Sequence, residues 1–441
     1  MRLRRRVVAA LCLIPLTLAG AACAPGEVIS DDDDGSNGAA ESVEPVDPAD
    51  FAGETLEYMY FTDGPDESAT RELIGKFEEQ YDVTVNLQIM PYADLITSAL
   101  NRLSAGNAPD VIRLTALTDF RGDLLVLDPY LGADYKNEFL PGPQRGVVNA
   151  NGELIAVPSD LTLNGMFVNL DLFESAGVEV PETWTWDEML ELGKQVKDAT
   201  GVPYSYVMDK SGHRVSTVLS QHGTFMLDAN GNALDQEKAT KALQRLADLM
   251  ATDDMPRDFW LGSGSRYEGA NEIFLAGETP LYMSGNWQVG QFVQNATFNW
   301  AAASNPCDVE CGGFPGGKYM AAFQQSKNPA LAAEFIRFMN ETENQELFVT
   351  TSGQLPTRAD LSEAGVTYPD PKAQAAMDVF LADLVITPSG GFEANGNPAF
   401  SPSATELVEE LAAVVGGQKD VPTAVADLSD SIDALVEETS S

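Results

Sequence analysis

The chain is poor in the side chains that hydrolytic and metal-dependent enzymes need. Its 441 residues include two histidines, His213 and His222, and four cysteines. There is no HExxH and no GxSxG, so zinc-protease and serine-hydrolase chemistry lack their usual parts. A four-ligand zinc site would have to gather Cys307, Cys311 and both histidines from distant segments, so neither a metal nor a cofactor is expected. Positive charge is scarce as well: 26 Lys and Arg stand against 67 acids, a formal charge of −41. Such a surface repels a polymer of phosphates, which excludes nucleic acid as a partner. Long apolar runs are missing too, apart from residues 7–18, which are shorter than the roughly 20 residues of a membrane span and contain Pro15.

That one apolar run is informative. Arg2, Arg4, Arg5 and Arg6 precede it and small residues follow it, the layout of a secretory signal over residues 1–22. Its removal leaves 22 basic residues against 67 acids, a charge of −45. Residues 23–50 are acidic and rich in Gly, Pro and Ser, so they cannot bury enough surface to fold and are expected to form a disordered tether. Outside the cell the default for Cys307 and Cys311 is a disulfide. LAGAAC, ending at Cys23, resembles the lipobox of bacterial lipoproteins, which implies lipidation of Cys23. Gly20 departs from the aliphatic residue usual there, and ordinary cleavage with a free Cys23 is the alternative.

After the tether the pattern alternates. Residues 56–61 read as a strand and 67–81 as a helix, with Ala69, Leu73, Phe77 and Tyr81 at four-residue spacing. Residues 83–89 read as a strand, 91–105 as a helix and 111–114 as a short apolar strand. This order predicts α/β architecture with a mostly parallel sheet. From about residue 154 the chain has more loops and longer helices. One opens at Thr185-Trp-Asp-Glu188, the spacing of a capping box. Further helices are expected over 238–250, 330–339, 371–384, 406–415 and 421–436.

CDVECGGFPGGKY, at 307–319, nearly spells a phosphate loop. Tyr319 stands where that loop needs Ser or Thr, and a polar segment rather than a buried strand leads into Gly312. The glycines read instead as backbone that must come close to something. Hydrolysis by paired carboxylates cannot be judged by counting, since 67 acids guarantee some close pairs.

Six short motifs follow one another: SAGNAPD at 104–110, NGELIAVP at 151–158, FVNLDLFESAG at 167–177 followed by Thr185-Trp-Asp-Glu188, FLAGETPLYMSGNW at 274–287, AAEFIRF at 332–338 and SGQLPTR at 352–358. In this order the chain from Gly53 onward resembles the extracellular solute-binding proteins of ABC sugar importers, the maltodextrin-binding-like family. The resemblance implies a periplasmic-binding-protein-like α/β fold, two lobes with a hinge and a ligand cleft between them. Lobe 1 would comprise 51–158 and about 322–362, lobe 2 about 159–321 and 371–441, with crossings near 158–162, 318–325 and 361–371. It also implies a monomeric, non-enzymatic receptor on the outer face of the cell membrane. That receptor would close on a carbohydrate and hand it to the transmembrane subunits of a permease, touching the membrane through its lipid anchor only. A polyamine or metal-chelate receptor on the same fold, and an anchored glycosidase, are the alternatives.

A sugar offers an apolar C–H face to aromatic rings and a rim of hydroxyls to polar groups. Trp287 matches the family position that stacks on the ligand, with Asn286 beside it. Thr62, Asp63 and Thr115 follow predicted strands, where doubly wound folds place ligand contacts; Asp63 could equally cap a helix. Asp160, Thr162 and Asn164 fall at the first crossing, as ligand contacts or as hydrogen bonds between lobes. His213 and Arg214 stand where maltodextrin binders carry aromatics, which points to a smaller or more polar ligand than a long glucan. Trp260 lies in a loop and is either ligand-facing or core. Phe314 and Gly316 edge the expected cleft, and Phe392 and Asn395 match a late aromatic-bearing stretch of the family.

Overall fold

Three short strands begin the fold: β1, Thr55–Tyr60, β2, Thr84–Ile89, and β3, Val111–Leu114. β1 lies between the other two and pairs parallel with both. The helix Asp66–Tyr81 returns the chain between the first two, burying Ala69, Leu73, Phe77 and Tyr81 as the predicted stripe. The computed structural model describes residues 46–62, 64–262 and 265–439. The expected signal and Cys23 lie outside the described residues, as does most of the expected tether. Of its last residues, Pro48 to Asp50 begin a 3-10 turn capped by the Asp47 side chain, and the turn's last residue, Phe51, is buried.

The central element is β4, Val157–Asn169, in which all thirteen residues are buried. A strand of that length spans about 43 Å at roughly 3.3 Å per residue, enough to run through two lobes. β5, Val207–Met208, the small hairpin of β6, Leu227–Asp228, and β7, Gly231–Asn232, then β8, Leu281–Gly285, β9, Trp300–Ala303, and β10, Pro315–Ala322, complete the strands among the described residues. The main sheet runs β2-β1-β3-β10-β4-β8-β5, with β9 also on β4. The expected parallel pairing holds for β1 to β3, the strands it was read from, and β5 is also parallel to β8, but the sheet between them is antiparallel. β10 is antiparallel to β3 and β4, and β4 is antiparallel to β8 and β9. The reason is that β4 and β10 carry the chain out of the first half of the sheet and back, so they run in opposite directions.

The buried apolar side chains form two clusters. Leu56, Leu73, Phe77, Ile112 and Phe335 belong to one, which also takes in Phe167, Tyr282, Trp300 and Phe380, and Trp186, Met189, Leu243, Leu246, Leu407 and Leu411 belong to the other. Full burial of such side chains contributes about 1.5–3 kcal/mol each. The helix Pro329–Met339 packs on β10 and on Asp66–Tyr81, and Pro371–Ile386 packs on β4 and β9. The helix Trp186–Thr200 has its capping box formed: Glu188 N–H donates to Thr185 Oγ1 at 3.2 Å and Thr185 N–H to Glu188 Oε2 at 2.8 Å. Cys307 and Cys311 are joined as a disulfide. Among the described residues no single helix is long and apolar enough to cross a membrane.

Candidate functional site

The site is built where the strands of both lobes end. Phe61, Thr62 and Thr115 follow β1 and β3, and Tyr92 opens the helix after β2. Ser211, His213 and Arg214 come from the start of the helix Gly212–Gln221, and Trp287 from the turn after β8. The two sets, with Thr162, Asn164, Gly316 and Lys318 from the crossing strands, line one hollow of about 300 Å³.

Trp287 lies over Gly285. A Cβ on that glycine would stand 2.0 Å from the indole, so only glycine lets the ring come so close. The Arg214 guanidinium sits 4.5 Å from the indole centroid and is held by two acceptors. Its Nη1 donates to Asn164 Oδ1 at 3.0 Å and its Nε to Asp209 Oδ2 at 3.2 Å. Asp209 in turn accepts from Tyr282 and Ser284 hydroxyls, both at 2.6 Å. Asn164 donates to His213 O and Thr217 Oγ1, so one buried amide fixes both members of the His213-Arg214 pair.

His213 Nε2 lies 3.2 Å from Asn395 Oδ1, and its ring meets Phe314 and Phe400 edge-on. Burial, with the neighbouring Arg214 charge adding to it, holds the imidazole down at about 4, so at neutral pH it is an uncharged hydrogen-bonding group. Opposite, Tyr92 Oη and Thr115 Oγ1 are 2.7 Å apart. Thr62 Oγ1 donates to Asp66 Oδ1 at 2.6 Å.

The structure thus brings together Thr62, Thr115, Thr162, Asn164, His213, Arg214, Gly316 and Trp287 from among the expected residues. Asn395 joins them through His213, on the wall of an adjoining hollow. Others are placed elsewhere. Asp160 is buried, and its Oδ2 accepts from Arg113 Nη2 at 2.9 Å while Oδ1 lies 3.4 Å from Lys318 Nζ. Arg113 also donates to Asp66, completing a buried charge cluster behind the site. Asn286 is buried too: Oδ1 accepts from Leu163 N–H at 2.8 Å, and Nδ2 donates to Gly353 O and Gln354 Oε1. Trp260 is fully buried in the second core. Phe314 is buried and stacks on Phe400, a layer behind His213. Phe392 packs against Gly142 instead. Asp63 lies outside the described residues. Gly316 packs toward Thr162 Oγ1, and Gly317 toward the Asp160 carbonyl.

Tyr92 and Lys318 were not expected at the site. Tyr92 follows the carboxyl end of β2, so the rule that singled out Thr62 and Thr115 points to it as well.

A pocket of this kind, with an aromatic ring among hydrogen-bonding groups, can hold a small polar solute. The profile of the bacterial extracellular solute-binding proteins matches residues 62–346. The chain belongs to that family. It is a binding protein rather than an enzyme. The arabinooligosaccharide-binding protein of Bacillus subtilis is 25% identical over 330 residues, 70% of this chain and 75% of that protein. The GacH receptor of Streptomyces glaucescens, solved unliganded and with acarbose and an acarbose homolog, superposes with a TM-score of 0.75 at 21% identity, covering 88% of this chain and 99% of the receptor. An ABC substrate-binding protein of Listeria monocytogenes, solved with cycloalternan, gives 0.74 at 19% identity over 87% of this chain and 98% of its own. These likenesses carry the two-lobe fold.

Proposed function

We propose that this solute-binding protein captures a carbohydrate between its lobes, closes over it and delivers it to an ABC permease, while Cys23 anchors it by lipid to the outer face of the membrane. One observation carries the carbohydrate assignment: the part-buried Trp287 lines the hollow together with hydrogen-bonding groups from the strand ends on either side of it. Apolar sugar faces stack on such rings while hydroxyls reach the surrounding amide, hydroxyl and guanidinium groups. The names of the relatives, arabinooligosaccharide-binding in one and acarbose or cycloalternan complexes in others, support it.

Closure follows from a ligand that touches both lobes and so binds the closed form more tightly. The proposed hinge consists of β4 near Leu163, the start of β10 and residues 365–371, between the lobe-one and lobe-two helices. The start of β10 fits better than 318–325, because Tyr319 to Ala322 already pair with β3 in the first lobe. With these crossings the proposed lobes are 51–162 with 319–364, and 164–315 with 371–441.

A thermal-shift screen over mono- and oligosaccharides tests the reading, since a ligand that binds only the folded state raises the midpoint. A sugar that raises it, and shrinks the radius of gyration in small-angle scattering, is the expected result. Amines or chelates raising it while every sugar fails would overturn the assignment. Palmitate labelling of cells expressing the full chain and its Cys23→Ser variant tests the anchor.

A further inference from the structure

Next to the Trp287 hollow lies a larger one of about 580 Å³, which shares Tyr92, Thr115, Ser211 and His213 with it as lining residues. On its first-lobe wall is Arg121. Its Nη1 donates to Val148 O at 2.9 Å and its Nη2 to Gly146 O at 2.8 Å. Both partners are neutral carbonyls, and Nε, shut off from solvent, has no hydrogen-bond partner. Among the described residues no carboxylate forms an ion pair with this guanidinium. A charge withdrawn from water without a counter-ion is costly, and burial accordingly pushes Arg121 below the usual arginine range.

Across the hollow Lys210 is exposed, also without an ion pair among the described residues. The lining includes one acid, Glu409, exposed on the helix Phe400–Val415. In a chain with 67 acids and 26 bases, a ligand hollow with two uncompensated cations and one acid runs against the composition. A cleft of local positive sign inside a strongly negative molecule concentrates anions where the surface around it repels them.

We propose that this hollow receives a carboxylate, and that the ligand is an acidic oligosaccharide whose uronate group meets Arg121 and Lys210 while a neighbouring ring stacks on Trp287. The proposal rests on the sugar-receptor reading and narrows it. The planar guanidinium matches a carboxylate geometrically, and Arg121 still has unused N–H donors to offer one. Tyr319, His213 and Asn395, which also line the hollow, supply hydrogen bonds to the ring hydroxyls.

The test is calorimetric titration of the whole mature chain with matched pairs. These are trigalacturonate against its methyl ester, and a glucuronic-acid-substituted xylotriose against xylotriose. Arabinotriose and maltotriose are the neutral references, and glucose 1-phosphate is a different anion. The expected result is that an acidic sugar binds at least about tenfold more tightly than its neutral partner, as one charge-assisted contact implies. The preference should shrink as salt rises. Arg121→Gln should remove it and leave neutral-sugar binding within about twofold. Lys210→Gln, at an exposed position that does not endanger the fold, should reduce it about threefold. Neutral sugars binding with no acidic one preferred, or glucose 1-phosphate binding while every uronate fails, overturns the proposal and leaves the sugar receptor standing. If no sugar of either kind binds, the receptor reading itself falls and this inference with it.

Discussion

The Arg214 guanidinium stacks over Trp287, 4.5 Å from the ring centroid, and is pinned there by Asn164 and Asp209. The indole therefore has one face covered by cation and polar network and Gly285 close beside it, and it is pre-set before any ligand arrives. Loss of the ring should remove most of the affinity at little cost to the fold, because Trp287 is only part-buried. Trp287→Ala is expected to weaken sugar binding by roughly 100-fold, as removal of a central aromatic anchor does, with the melting midpoint of the free protein almost unchanged. Arg214→Lys keeps the charge but cannot span Asn164 and Asp209 together, so about a tenfold loss is expected. Titration calorimetry on both variants checks this, and unchanged binding by Trp287→Ala would remove the indole from the site.

Asn286, one residue earlier, serves stability instead. Its side chain ties β4 to the Gly353-Gln354 turn of the other lobe with three hydrogen bonds. Asn286→Ala leaves the Leu163 N–H without its side-chain acceptor in a buried place, a cost of about 1–3 kcal/mol. Asn286→Asp should cost more, since a carboxylate would face the Gly353 carbonyl and Gln354 Oε1. Urea unfolding of the three proteins orders them, wild type above Ala above Asp; a stable Asp variant would mean that this clasp is not formed in solution.

The contrast between these neighbours shows what the sequence could and could not convey. The stripe Ala69, Leu73, Phe77 and Tyr81, the Thr185-Glu188 box and the Cys307-Cys311 staple were legible because each is a local pattern whose partners lie a few residues apart. Thr62 and Thr115 were legible because strand ends face the cleft. Asp160 was not, because its partner Arg113 is 47 residues away and nothing nearby in sequence distinguishes an acid facing ligand from one facing a buried guanidinium. Asn286 and Trp287 are adjacent but occupy different surroundings, one between lobes and one in the cleft. Trp260 reads as a loop residue, yet tertiary packing buries it completely.

The staple predicts a modest, local effect. Closing so short a loop is worth about 2 kcal/mol on the chain-entropy estimate. The same loop is also held from outside, where Gln221 Nε2 donates to Gly312 O and the Gln221 carbonyl accepts from Val309 and Glu310 N–H. The double variant Cys307→Ser, Cys311→Ser should thus lose at most about 2 kcal/mol in urea unfolding and keep its affinity. Reductant should shift the wild type to the same midpoint. A larger loss, or a change in affinity, would show that the staple shapes the cleft rather than bracing its edge.

A second measurement of stability turns on Asp383, buried on the helix Pro371–Ile386, where Oδ2 accepts from Asn305 N–H at 2.7 Å and Asn305 Nδ2 at 2.8 Å. Burial outweighs those two bonds and holds its carboxyl up at about 6. An unfolded aspartate titrates near 3.9, so between about pH 4 and 6 the folded chain binds more protons than the unfolded one, and stability falls as pH rises through that window. Above it the cost is complete, at most about 3 kcal/mol. His213 acts in the opposite sense: held at about 4, it leaves the unfolded chain binding more protons between there and about 6.5, so stability rises with pH. Since the two slopes oppose each other, the wild-type curve alone is uninformative and the difference from a variant is what counts. Asp383→Asn keeps an acceptor for Asn305 and offers its amide to Asn305 Oδ1, which has no partner. Unfolding free energies at pH 4, 5, 6 and 7 should show the variant level with wild type at the acid end and about 2–3 kcal/mol more stable at pH 7. A difference that does not change with pH would mean that this carboxyl titrates normally and that water reaches it.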